Sequence, residues 1–270
     1  MAALWGKQPM GAGMTPRTGL RDWAAALAAL LAAATPATAA EPRAMARVRK
    51  LIARMSRAKK PSRSTGTLSN GRLEHAAELP DTRVFGYRIL SPKRKTHFGA
   101  DRMVFGLMVL GVRMRELCAE AGEFGVGDIS AKNGGKLSPH INHQMGLDVD
   151  LGFYVTDAEG KPLGNRMAAF DSNGRSKDGR LRFDAKRNWW LVASMFENPY
   201  FGEVRFLLLA DWLKKLLLDH ARRRLTRLRD PRHVERQKEL IRRAEALIRQ
   251  PSSSPHDNHY HLSLKKPPGN

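Results

Sequence analysis

The sequence predicts an α+β fold, a small antiparallel β-sheet flanked by helices. Short apolar or alternating runs at 84–90, 147–155, 204–209 and 259–264 read as strands. Longer stretches with apolar residues at helical spacing occupy 102–121, 185–196, 211–229 and 231–249. A chain of 270 residues can bury a core that needs no disulfide staples, and none can form within it, because Cys118 is its only cysteine.

Each element has a local reason. Arg17 and Arg21 precede an apolar run from Trp23 to Ala34, and Thr35-Pro36-Ala37-Thr38-Ala39-Ala40 follows. A basic segment, an apolar segment and a small-residue site make the layout of a secretory signal peptide over 1–39, cleaved after Ala39. The other reading is an alanine-rich leader. The apolar run is too short to span a bilayer, and no later segment is long and apolar enough to do so. Residues 40–65 are rich in Arg and Lys and are expected to be a mostly disordered basic linker, with room for a short helix at 46–55. The folded domain is expected over 66–264, with a tail at 265–270.

Ser69-Asn70-Gly71 signals a turn. Asp101 is placed to cap the helix at 102–121, which Gly122, Gly125 and Gly127 end. Cys118, in the last part of that helix, reads as a buried core thiol. Asn133-Gly134-Gly135 forms a loop. Residues 157–182, rich in Gly, Asp, Lys and Arg, read as a surface excursion. Pro231 suits the first turn of the last helix, and Ser252-Ser253-Ser254-Pro255 is a loop before the final strand.

Five of the nine histidines fall in two short clusters. The first is His140-Ile-Asn-His143-Gln-Met-Gly-Leu-Asp148-Val-Asp150. The second is His256-Asp-Asn-His259-Tyr-His261, more than a hundred residues later. On a strand, residues two apart share a face, so Asp148 and Asp150 point one way, and so do His259 and His261. His143, Asp150 and His261 would supply three nitrogen and oxygen ligands to one Zn2+ per chain, leaving a fourth position for water. A structural zinc site usually holds four protein ligands, often cysteines, so this set favours catalysis. His259 would then serve as general base.

These strings resemble the penicillin-insensitive murein endopeptidases, within the wider group of lysostaphin-like, D-alanyl-D-alanine and hedgehog-type zinc proteins. Gly66, Ser69-Asn70-Gly71, Leu79-Pro80, Gly127-Asp128 and Gly134-Gly135 extend the resemblance over roughly 65–264. It implies His143, Asp150 and His261 as zinc ligands and His259 as catalytic base. It places His140 and His256 beside the metal, shaping the site or touching substrate. Asp148 is not a ligand in that pattern and is expected to support one. Six residues separate His143 from Asp150, where lysostaphin-like enzymes have three. Asn258 stands where the D-alanyl-D-alanine peptidases carry a glutamate base. The D-alanyl-D-alanine peptidases share the longer spacing, so it is Asn258 that favours the endopeptidase branch. The chain departs from the family in lacking paired cysteines and in its long basic helices at 211–249.

The resemblance implies hydrolysis of D-alanyl–meso-diaminopimelate cross-links in peptidoglycan, in the periplasm. The net charge of +21 suits a polyanionic neighbour, here peptidoglycan rather than nucleic acid. The alternatives are a D-alanyl carboxypeptidase on the same scaffold, or a non-catalytic protein that binds a polyanion or the cell wall. The sequence leaves the oligomeric state open.

Overall fold

The computed structural model describes residues 43–267, so the expected signal peptide at 1–39 lies outside the described residues. Helix α1 (Arg43–Ala58) leads into the hairpin β1 (Arg63–Thr67) and β2 (Asn70–Glu74). Short strands β3 (Ala77–Glu78), β4 (Tyr87–Ile89) and β5 (Phe98–Gly99) precede α2 (Asp101–Leu117). Next come β6 (Phe124–Val126), β7 (Asp148–Leu151), β8 (Phe153–Thr156), β9 (Pro162–Arg166) and β10 (Arg182–Phe183). The chain then continues through α3 (Ala185–Phe196), β11 (Val204–Leu208), α4 (Asp211–Leu225), α5 (Pro231–Leu247), β12 (Ile248–Arg249) and β13 (Tyr260–Leu264).

The fold is α+β. Its principal sheet has six strands in the order β12-β11-β13-β7-β6-β4. The four inner strands pair antiparallel, as expected, but the edge strands β12 and β4 join in parallel. Strands β7 and β13 are buried along their whole length. Their register sets His261 opposite Asp150 and Ser263 opposite Asp148. Strand alternation then puts these four polar side chains on one face. Leu151, Leu262 and Leu264 carry the core, each fully shielded from solvent.

Residues 40–65 depart from expectation: the described part is ordered, not a disordered linker. Val48, Ile52 and Met55 recur along one side of α1, and Val48 and Ile52 are buried in the core. Beyond the helix, the Ser62 N–H donates to Asp101 Oδ2 at 2.9 Å, while the Asp101 N–H donates to Ser62 Oγ at 2.7 Å. Lys59 also pairs with Asp101. Asp101 is therefore the first residue of α2, and its side chain ties down the preceding segment. It does not cap the helix.

Helix α2 stops at Leu117, four residues early, and 119–121 form a separate 3-10 turn. The run at 84–90 splits into a 3-10 turn and β4 at Gly86, whose φ is +80°. The excursion at 157–182 contains β9, which pairs with β8. Buried Asn165 on β9 holds two neighbouring segments: Gly125 N–H donates to its Oδ1 at 2.9 Å, and its Nδ2 donates to Gly152 O at 2.7 Å. The helices α3, α4 and α5 lie where the periodicity predicts, with Pro231 opening α5 and Asp230 capping it. Cys118 is buried and its thiol donates to Met114 O.

Candidate active site

Strands β7 and β13 deliver Asp150 and His261 from adjacent positions of one sheet face. His143 arrives from the loop that connects β6 to β7. That loop makes tight turns, with His143 itself at φ +66° and Gly134 at φ +65°. A Cβ on Gly134 would fall 2.2 Å from Gln144 O, so only glycine fits there. Gln144 anchors the loop to the first hairpin, accepting from Gly71 N–H and donating to Ile141 O.

The result is a compact triangle. His143 Nε2, His261 Nδ1 and Asp150 Oδ1 are each 3.2 Å from the other two. All three residues are almost entirely buried. His143 Nδ1 faces the Ile129 carbonyl at 2.9 Å. A carbonyl only accepts, so Nδ1 carries the proton and Nε2 presents a lone pair. His261 Nε2 faces Asp148 Oδ1 at 3.1 Å, which likewise leaves Nδ1 with a lone pair. Asp150 Oδ1 is buried and accepts no hydrogen bond. Three electron pairs can thus converge on one point, an arrangement that suits a shared proton or a metal cation.

A tetrahedral ion bound at about 2.0–2.1 Å holds its ligand atoms about 3.3–3.4 Å apart. The 3.2 Å edges match that spacing, and the N/N/O donor set suits zinc. His140 stands beside the triangle, its Nδ1 3.8 Å from Asp150 Oδ2. One ligand atom from each of His140, His143 and Asp150 also falls within 4.8 Å of the others. The triangle with His261 is the tighter set, and both of its imidazoles have their outer nitrogens occupied by acceptors.

Electrostatics point the same way. Burial alone would lower the His261 imidazole, but the carboxylates of Asp148 and Asp150 outweigh it and push it up to about 9. Burial raises the Asp150 carboxyl, yet His143, His259 and His261 outweigh burial and hold it well below the usual carboxylate range. The centre therefore stabilises positive charge strongly, whether proton or metal.

His259 precedes β13 by one residue. Its Nε2 lies 3.4 Å from Asp150 Oδ1. Its Nδ1–H donates to Asn258 Oδ1, so Nε2 is left as a base pointing at the centre. His256 packs its ring 5.3 Å from that of His259 and 6.0 Å from that of His261, and burial lowers its pKa. Phe206 from β11 stacks on His261 at 6.0 Å. The structure brings all seven sequence-derived residues together.

Asp128 is the participant to which the sequence assigned no role. Its Oδ2 faces His140 Nε2 at 2.9 Å and Arg94 at 3.1 Å, and Thr96 donates to its Oδ1 at 2.5 Å. Burial raises this carboxyl, but His140, Thr96 and Arg94 outweigh it and hold it below its ordinary value. Asp128 thereby fixes the His140 ring. Its only sequence signal was Gly127-Asp128 at the end of a strand.

Residues 64–177 match the profile of a family described as penicillin-insensitive murein endopeptidase. A relative in Haemophilus influenzae, named penicillin-insensitive murein endopeptidase, is 36% identical over 87 residues. That alignment covers 32% of this chain and 29% of the relative, less than a third of either protein. The family match includes His140, His143 and Asp150, whereas His256, His259 and His261 lie beyond it, and the sheet register unites the two groups. Over residues 64–177 the chain is thus similar to the penicillin-insensitive murein endopeptidase family.

Proposed function

We propose that this protein is a secreted, zinc-dependent murein endopeptidase that hydrolyses D-alanyl–meso-diaminopimelate cross-links in the periplasm. The observation that carries the reading is the triangle of lone pairs from His143, Asp150 and His261, with a third imidazole, His259, at its edge. Zinc held there would lower the pKa of water toward neutrality and polarise the scissile carbonyl.

The chain's own residues do the rest. His259 Nε2, freed by the Asn258 contact, accepts the proton of the attacking water and returns it to the leaving amine. His140, held by Asp128, lines the approach to the centre. Asp148 and the Ile129 carbonyl hold the ligand imidazoles in the required tautomers. Among the described residues no helix is long and apolar enough to cross a membrane.

Digestion of cross-linked sacculi tests the proposal. Conversion of dimeric muropeptides to monomers, abolished by chelator and by His259→Ala, is expected. Release of terminal alanine from intact dimers would instead assign a carboxypeptidase, and wall binding without any metal-dependent hydrolysis would leave a binding protein.

A further inference from the structure

A groove of about 580 Å3 runs from the β1–β2 hairpin to the loop that carries His140. His140 forms part of its wall and also stands beside the triangle, so the groove borders the candidate centre. Two cations line it, Arg72 and Lys136, and no acidic side chain does. The alternating exposure of β2 turns Arg72 outward, between buried Gly71 and Leu73. Its guanidinium lies against the opposite wall: a Cβ on Gly135 would sit 3.1 Å from Arg72 Nη1. Lys136 is the next residue and lines the same groove.

The charges are also uncommitted. Many cations elsewhere in the chain have acidic partners, such as Arg187 with Asp184 and Glu120, or Arg222 with Glu245. The side chains of Arg72 and Lys136 have no ion pair or hydrogen bond among the described residues, and both residues are exposed. A fork-shaped guanidinium and an ammonium that line one groove next to the candidate centre match a planar carboxylate. Exposed Ile141 offers an apolar surface next to it.

We infer that Arg72 and Lys136 form a carboxylate-recognition subsite, which holds a free carboxylate of the substrate peptide near the scissile bond and sets the preference for anionic over amidated peptides. This inference rests on the endopeptidase reading for the identity of the peptide. It does not depend on catalysis for its test.

The experiment uses the full metal-loaded protein carrying His259→Ala, so that binding is read without turnover. The probes are cross-linked peptide dimers with free carboxylates and the same dimers with those carboxylates amidated. Calorimetry is expected to show the free form binding about ten- to hundredfold more tightly, the range of a hydrogen bond to a charged group. Adding Arg72→Gln and Lys136→Gln should erase the difference by weakening the free form alone, with zinc content unchanged. Equal binding of the two dimers before those substitutions, or a preference that survives them, would overturn the inference. If the preference behaves as expected but the unsubstituted protein cuts neither dimer, the subsite stands and the endopeptidase reading falls.

Discussion

Asp148 Oδ1 lies 3.1 Å from His261 Nε2, across the β7–β13 pair. That contact turns the other nitrogen of His261, Nδ1, toward Asp150 and His143. Asp148 is wholly buried and offers no ligand atom to the centre, so its work is to orient His261 and raise its basicity. Asp148→Asn should keep the fold and weaken zinc affinity about 10- to 100-fold. Competition against a chromophoric chelator measures this, and an unchanged affinity would remove Asp148 from the account.

The proton on metal-free His261 gives a second expectation. Its pKa is pushed up to about 9, and a metal must displace that proton from Nδ1. Zinc binding near pH 7.5 should therefore release about one proton per ion, and apparent affinity should rise about tenfold per pH unit up to about pH 9, then level off. Calorimetry in buffers of different ionisation enthalpy reads the proton count. A pH-independent affinity would contradict the assignment of His261 as ligand.

The proposed function makes His259 a base, not a ligand. His259→Ala should retain one zinc per chain and lower kcat about 10²- to 10⁴-fold. Loss of the metal with the activity would make His259 a ligand instead.

The folded role of α1 can be checked by stability. Ile52 is 5% exposed and packs in the core. Ile52→Ala should cost about 2–4 kcal/mol in denaturant unfolding, whereas a disordered linker would give no change.

Cys118 is buried, and burial pushes its thiol up to about 11. It should resist alkylation in the native protein at pH 8 and react once the protein is unfolded. Rapid native labelling would contradict this packing.

Most of the site was legible because its chemistry is local. Asp148 and Asp150 sit two apart on a strand, and His259 and His261 flank the start of another, so pattern alone placed them on common faces. What joined the two clusters, the pairing of His261 with Asp150, is a long-range contact that no local pattern encodes. Helix α1 was legible only as room for a short helix at 46–55, because its Arg and Lys mask the narrow apolar stripe of Val48 and Ile52 that buries it. Asp128 was obscured because its role depends on Arg94, Thr96 and His140, which converge from separate segments. Strand β4 falls within the run read as a strand at 84–90, whereas β12, two residues long, is too short for periodicity to show, and no local pattern sets the parallel pairing of either.

The central claim is that His143, Asp150 and His261 hold one zinc ion, with His140 outside the coordination sphere. Metal content of purified variants by mass spectrometry tests it most directly. His143→Ala, Asp150→Ala and His261→Ala should each come through dialysis without zinc, while His140→Ala retains about one ion per chain, the four-coordinate site keeping its three protein ligands. Retention of zinc by His261→Ala, with loss from His140→Ala, would contradict the account and move the ion to the His140, His143 and Asp150 set.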